Sequence, residues 1–139
     1  MTQARGANSQ LVIDFETTFG ADPASPAGLL MPVNSSSLNG VLAKNRAATI
    51  SSSRNPVQPF AGNKSASGSI VVPVDSLAMW YWCKAMFGDP VTSGSTSPYT
   101  HVFTVDDTQP SLVIEQGYTD ITEYDKYNGC KVSSFPITV

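Results

Sequence analysis

Apolar and β-branched residues recur along the chain in short runs, separated by segments rich in Gly, Pro, Ser and Asn. Short alternating runs bounded by turn residues are typical of β-strands. The pattern predicts strands at residues 11–16, 29–33, 68–74, 101–105, 112–115 and 130–139. Residues 121–127 fit either a short strand or an irregular segment, and we favour a strand.

One segment, residues 75–87, instead predicts an α-helix. Asp75 is a suitable N-cap, the interior contains neither Gly nor Pro, and Gly88 followed by Pro90 is a usual helix stop. Strands before and after a single helix predict a mainly β protein. We expect an antiparallel β-sandwich or barrel with this one helix on its flank.

The predicted helix is apolar on nearly all sides. One face at helical spacing comprises Met79, Trp82, Cys83 and Met86, whereas Trp80 and Tyr81 lie on other faces. A helix of this kind is buried on more than one side. We therefore expect one face to pack on the domain's own sheet, and Trp80 and Tyr81 to lie at an interface with a neighbouring subunit.

Residues 34–67 form a long segment rich in Ser, Asn and Gly with only scattered apolar residues. A structureless loop of this length is uncommon inside a compact domain. The segment is therefore either a long hairpin or an arm that becomes ordered against another subunit.

The composition favours a single domain over residues 1–139 and a protein that associates with itself. The chain has 139 residues, 41% hydrophobic and only 14% charged, with a net charge of −3. A weakly charged surface is consistent with partial coverage by copies of the same chain. The acidic balance argues against specific nucleic-acid binding, because phosphate neutralisation needs an excess of Lys and Arg.

Charge is segregated along the chain. Residues 34–74 carry four bases and no acid: Lys44, Arg46, Arg54 and Lys64. Residues 87–125 carry seven acids and no base: Asp89, Asp106, Asp107, Glu115, Asp120, Glu123 and Asp125. This is either coincidence in a weakly charged chain or a sign that the basic arm of one copy docks on the acidic region of the next. In the second interpretation the four bases, with Asp120, Glu123 and Asp125, are interface residues.

No pattern of residues predicts catalysis, a cofactor or a metal. His101 is the only histidine, and neither a Gly-x-Ser-x-Gly elbow nor a phosphate-binding loop is present. Cys83 and Cys130 are too few for a disulfide framework or a zinc site, so we expect both to be reduced core residues. The cluster of Asp120 with its two acidic neighbours could suggest a glycosidase pair or a calcium loop, but it fits a solvated turn better.

The chain carries neither the apolar region of a signal peptide nor an apolar run that approaches the ~18 residues of a membrane span. We therefore expect synthesis and assembly in a cytoplasm, without membrane contact.

Several segments resemble the tail tube proteins (major tail proteins) of long-tailed bacteriophages. The similarity runs in order along nearly the whole chain, through residues 5–8, 15–20, 54–56, 68–70, 84–88, 98–101, 109–112, 115–119 and 129–132. Examples are Phe15-Glu16-Thr17-Thr18-Phe19-Gly20, Gln109-Pro110-Ser111-Leu112 and Gly129-Cys130-Lys131-Val132.

This resemblance implies a virion structural protein that assembles into hexameric rings, which stack into a tube for genome delivery. It also implies contacts with tape measure and tail-end proteins, an arm that reaches an adjacent ring, and DNA that passes only transiently through the lumen. Further strands are expected after residue 132, so the chain is either a short member or truncated at Val139. The alternative function is a β-sandwich binding module of the virion, such as a capsid decoration or receptor-binding domain.

Overall fold

The fold is mainly β, as predicted, with one α-helix and antiparallel sheets that are consistent with a β-sandwich. A computed structural model describes residues 3–46, 55 and 57–138. The described strands are β1 (Ser9–Phe15), β2 (Leu29–Met31), β3 (Ser35–Ser36), β4 (Asn39–Asn45), β5 (Phe60–Ser67), β6 (Ile70–Val71), β7 (Val91–Ser93), β8 (Thr100–Val102), β9 (Leu112–Tyr118) and β10 (Glu123–Cys130). The helix α1 is Ala78–Phe87, and a short 3-10 turn, Gly6–Asn8, precedes β1.

A four-stranded antiparallel sheet in the order β10-β9-β1-β2 is the centre of the molecule. The register aligns Ile13 of β1 with Ile114 of β9 and with Leu29 of β2. Because side chains alternate across a strand, these apolar residues share one face of the sheet. That face is the one that the rest of the chain covers.

The helix α1 packs on this face and completes the core. The buried cluster consists of Leu11, Ile13, Met31, Ala78, Trp82, Ala85, Leu112 and Ile114. On the helix only Ala78, Trp82 and Ala85 are buried, so the predicted face was wrong for Met79, Cys83 and Met86, which are half-buried. Small alanine side chains allow the helix backbone to approach the sheet closely, which larger residues on that face would prevent.

The helix begins at Ala78 rather than at residue 75. Asp75 still stabilises the start: its Oδ2 accepts a hydrogen bond from the Ala78 N–H at 3.2 Å, and its carbonyl accepts one from Met79 at 2.9 Å. These bonds close the turn that leads into the helix. The helix ends at Gly88, as predicted, and a φ of 102° explains why glycine occupies that position.

The segment 34–67 is a long hairpin, which confirms one of the two alternatives. Strand β3 pairs with β6, and β4 pairs with β5 in a separate two-stranded sheet. We call the β4–β5 hairpin the arm. Residues 47–54, which join its two strands and include Arg54, lie outside the described residues.

Other strand predictions were confirmed only in part. Residues 121–127 do contribute to a strand, β10, whereas the strand predicted at 68–74 is reduced to β6 and that at 101–105 to β8. The strand β7 was missed. The described residues therefore contain ten strands rather than six or seven.

The prediction of a strand at residues 130–139 was wrong. Strand β10 ends at Cys130, and no strand is present in the described part of the chain beyond it. Val132 and Phe135 pack against the core instead, and the Val132 carbonyl accepts a hydrogen bond from Gln109 Nε2 at 2.6 Å. The same Nε2 donates to the carbonyl of Ala85 at 3.2 Å. The apolar pattern of this segment thus reflects packing over the core rather than pairing in a sheet.

Two carboxylates fasten the loop after β1 to strand β10. Glu16 accepts hydrogen bonds from the backbone N–H groups of Gly20 at 2.9 Å and Gly129 at 2.7 Å. Partial burial raises the pKa of Glu16, but hydrogen bonds from the Ser111 hydroxyl and from these two N–H groups outweigh it, so the pKa lies below its ordinary value. Asp22 accepts a hydrogen bond at 2.7 Å from Asn128, one residue before Gly129.

Gly68 is expected to be essential for the base of the arm. A Cβ there would lie 2.5 Å from the Ser37 carbonyl oxygen and 2.6 Å from the Leu38 Cα, and the residue has a φ of 157°. Since the obstructing atoms are backbone, Gly68→Ala should lower the free energy of unfolding by about 1–3 kcal/mol. Chemical denaturation followed by circular dichroism measures this. The control is Gly6→Ala, because nothing lies within 4 Å of the added methyl group; equal losses in both variants would contradict the prediction.

Glu16→Gln should destabilise the protein by about 1 kcal/mol, because an uncharged amide accepts hydrogen bonds from N–H groups less strongly than a carboxylate. Because the pKa of Glu16 is lower in the folded chain than in the unfolded chain, its ionised carboxylate stabilises the fold at pH values above the unfolded-state pKa. This stabilisation is lost as the pH falls through the folded-state pKa. The stability of the unmodified chain should therefore fall in that acidic range more steeply than that of Glu16→Gln. Thermal unfolding across pH measures this, with the exposed Asp107→Asn as control. Parallel pH profiles for all three chains would refute the role given to Glu16.

Candidate functional site

The arm is exposed along almost its whole length. Every residue of β4 is exposed, and so is every residue of β5 except Gly62. Large apolar side chains are among them: Val41 is 55% exposed and Phe60 57%. Because neither strand contributes to the core, the arm is a projection from the domain.

The arm leaves the domain over the edge of the main sheet. At its start, the Ser36 hydroxyl donates to Gln116 Oε1 of β9 at 2.9 Å. A Cβ on Gly40 would lie 3.3 Å from the ring of Tyr127, which belongs to the edge strand β10. From Ser36 to Gly40 the chain therefore runs from a contact with β9 to a contact with the edge strand β10. The exposed part of the arm extends beyond β10.

One face of the arm is basic. Lys64 lies opposite Leu42, and Lys44 lies opposite Ala61. The register shifts between these two pairs, where a step of two residues along β4 corresponds to a step of three along β5, so the extra residue belongs to β5. Leu42 and Lys44 are two residues apart on β4 and therefore point to the same side. We call Leu42, Lys44 and Lys64 the basic face. Arg46, directly after β4, is also exposed.

The opposite face of the arm is uncharged and combines apolar residues with two polar ones, Asn45 and Ser65, of which Ser65 lies opposite Val41. Val41, Ala43 and Asn45 alternate with the residues of the basic face, and Phe60 lies opposite Asn45. We call Val41, Ala43 and Phe60 the apolar face. The hairpin thus presents two chemically different surfaces.

Of the predicted acidic residues, Asp120 lies in the turn between β9 and β10, and Glu123 and Asp125 lie in the first three residues of β10. We call these three residues the acidic turn. Glu123 and Asp125 are exposed, whereas Asp120 Oδ2 accepts a hydrogen bond from the Arg5 backbone N–H at 2.8 Å. The turn therefore presents negative charge to solvent and is tied to the start of the chain.

The structure separates the acidic region into two places. Asp89 and Asp106 lie beside the C-terminal end of α1: a Cβ on Gly88 would lie 3.1 Å from the Cβ of Asp106. Strand β9 begins near this end of the domain, since Gln109, three residues before it, donates from Nε2 to the Ala85 carbonyl of α1, and it ends at the acidic turn. At about 3.3 Å per residue, its seven residues separate the two places by about 20 Å.

A second exposed hairpin lies at the end opposite the acidic turn. Strands β7 and β8 pair Val91 with Val102 and Thr92 with His101. Val91 is 69% exposed and Val102 50%, so an apolar cross-strand pair faces solvent. On the other face, the Thr92 hydroxyl and His101 Nδ1 share a hydrogen bond of 2.8 Å.

Within the described residues, the basic residues of the arm form no ion pair with any acid of the same chain. The ion pairs recorded there join Lys84 to Asp89 at 2.6 Å and Lys126 to Asp22 at 3.1 Å. Lys84 also lies 5.7 Å from the ring centre of Trp80. The structure therefore places Lys44 and Lys64 on the arm, with Arg46 directly after β4, and Asp120, Glu123 and Asp125 at the acidic turn. Among the described residues it forms no ion pair between the two groups, and Arg54 lies outside the described residues.

Trp80 and Tyr81 are half-buried on α1. Their rings meet edge to face at 4.9 Å, and Phe103 lies 6.4 Å from Trp80. Phe103 of the same chain thus covers part of the helix surface that was expected to contact a neighbouring subunit. Leu77, before the first turn, remains 68% exposed, so one end of this surface is open.

No other chemistry emerges from the described residues. They contain no group of three or more His, Cys, Asp or Glu placed to hold a metal ion. Burial raises the pKa of both the Cys83 and the Cys130 thiols, and both cysteines are free. No helix in the described part of the chain has the length and apolar character needed to cross a membrane.

Sequence reasoning missed the hairpin β7–β8 as an exposed apolar surface. The signal was present but weak: Val91 and Thr92 form a short β-branched run before Gly94, which has a φ of 108°. Three residues are shorter than the runs on which strand predictions depend. The role of Glu16 left no signal in the sequence, because its partners at residues 20 and 129 are brought together only by the fold.

Comparison with known proteins identifies the family of this chain. No curated protein matches the chain. The family model for the phage tail tube protein matches residues 6–139, which is nearly the whole chain. The chain therefore belongs to the phage tail tube protein family and is a structural protein of the virion tail.

Proposed function

We propose that this protein self-assembles into rings, with six copies per ring by analogy with its family, and that the rings stack into the tail tube through which the genome is delivered. The support comes from family membership together with a surface that is far too large for an isolated compact domain. In this role the protein is purely structural and performs no catalysis.

The accessible surface of the chain is the observation that carries this proposal. It measures 10308 Å² for a mass of 14.7 kDa. A compact folded monomer of that mass exposes about 6900 Å². The difference, about 3400 Å², exceeds the roughly 1000–2500 Å² that one chain contributes to a large obligate interface, whose two partners together bury about 2000–5000 Å². Coverage by neighbouring copies accounts for this surface most simply.

The contact between neighbours is proposed to join the basic face of the arm and Arg46 on one copy to the acidic turn on the next. The arm has no acidic residue among its described positions, and the acidic turn exposes two carboxylates. Opposite charges steer two copies together and fix their register. A surface on α1 that includes Trp80 and Tyr81 is proposed to add aromatic contact, and Arg54 completes the set of basic residues.

The remaining partners follow from the position of a tube in a virion. Tape measure and tail-end proteins are proposed to contact the lumen and the ends of the tube. DNA passes through only transiently, and a net charge of −3 disfavours its retention. Assembly is proposed to take place in the host cytoplasm, without a cofactor or membrane contact.

A charge-reversal cycle tests the contact. The variant Lys44→Glu/Lys64→Glu should raise the protein concentration needed for assembly about tenfold or more, because like charges then meet at the interface. Adding Glu123→Lys/Asp125→Lys to the same chain should restore assembly. Light scattering with negative-stain microscopy measures both effects. High salt should weaken assembly of the unmodified chain, because the screening length falls to about 3 Å at 1 M.

The exposed Lys131→Glu is the control, since it reverses a charge on the domain and not on the arm. Assembly by the double variant as readily as by this control would contradict the proposed contact. An unmodified chain that stays monomeric at all concentrations would contradict self-assembly itself and would favour a binding module.

A further inference from the structure

The two faces of the arm need different partners. The basic face is matched in charge by the acidic turn, but an uncharged surface with Val41 and Phe60, 55% and 57% exposed, is not. Apolar surface of this kind is stabilised when another apolar surface covers it. The question is which surface of a second copy provides that cover.

The hairpin β7–β8 has the matching chemistry. Its Val91–Val102 pair forms an exposed apolar ridge, and Tyr99, 54% exposed, lies directly before β8. No base lies between residues 87 and 125, so no positive charge of this segment meets the basic residues at the rim of the arm. Asp89 flanks the hairpin with a side chain that is 80% exposed, and its carboxylate is paired with Lys84 at 2.6 Å.

We propose that the apolar face of the arm packs on the Val91–Val102 ridge of a second copy, while the basic face contacts the acidic turn of a third. This inference rests on the proposed self-assembly and adds the partner surface of the apolar face. The ridge and the acidic turn lie at opposite ends of β9, about 20 Å apart. A single neighbour therefore cannot present both surfaces to the two sides of one thin hairpin. The arm lies between two neighbours.

Two consequences distinguish this arrangement from a simple pairwise contact. First, full coverage of an arm requires three copies, so dimers should not accumulate and assembly should be steeply concentration-dependent. Second, the two contacts should respond differently to salt. Screening weakens the basic contact, whereas burial of valine and phenylalanine persists at high salt.

Cysteine cross-linking between copies tests the facing directly. Two full-length variants, Phe60→Cys and Val102→Cys, are mixed, assembled and treated with a mild oxidant, and disulfide-linked dimers are counted by non-reducing electrophoresis. We expect efficient linkage that requires both variants. The unmodified chain gives the background from Cys83 and Cys130.

Matched controls use the opposite faces of the same hairpins. Ala61→Cys lies beside Phe60 but on the other face of β5, since Ala61 is opposite Lys44, and His101→Cys lies on the face of β8 away from the ridge. Pairing either with the partner variant should reduce linkage at least tenfold. Circular dichroism of each variant verifies folding, which surface substitutions on exposed strands should leave intact.

The outcomes distinguish self-assembly of the chain from the proposed packing of the two faces of the arm. Tubes of the unmodified chain with no Phe60–Val102 linkage, or with equal linkage in the controls, would overturn the two-faced arrangement and leave self-assembly standing. Absence of any assembly by the unmodified chain would overturn both. Discrete dimers as the main small species would also contradict an arm held between two neighbours.

Discussion

The structure depends on the packing of one short helix against one face of a four-stranded sheet. Ala78, Trp82 and Ala85 make this contact, and every other covering segment joins at its margins. Ten residues of helix can cover only one face. The opposite face remains partly open, with Leu30 64% and Tyr124 47% exposed, and both projecting hairpins have no core of their own. Such a domain is stable as a scaffold, but much of its surface is suited to contact with other copies.

Polar residues in the segments that resemble the family hold this scaffold together. Glu16 joins the loop after β1 to strand β10, and Gln109 Nε2 bridges the carbonyls of Ala85 and Val132. Gly68 permits close approach of two backbones where the arm begins. None of these residues is placed for catalysis. Glu16, Gln109 and Gly68 thus fix the shape of the subunit, which a structural protein of the virion tail requires.

Local patterns predicted the elements whose causes are local. The helix stop at Gly88 and most strands of the main sheet follow from turn residues and alternation. The hairpin in residues 34–67 was only one of two alternatives, because that segment shows no regular pattern. The helix face was mispredicted because two alanines, which carry little hydrophobic signal, were selected by close packing. Alternation at residues 130–139 misled for a related reason, since Val132 and Phe135 pack on the core without a pairing partner. The two faces of the arm could not be predicted, because they depend on the pairing register of β4 and β5, which the sequence pattern does not specify. The charge segregation indicated only that the arm is basic.

Hydrogen exchange of the arm, measured before and after assembly, tests the central claim most directly. The claim is that neighbouring copies cover the exposed hairpin β4–β5. In the unassembled chain, its backbone amides should exchange rapidly, because the two-stranded sheet is exposed on both faces. In assembled tubes the same amides should become strongly protected, while those of β9, already buried, should change little. Tubes in which the arm continues to exchange rapidly would contradict the account.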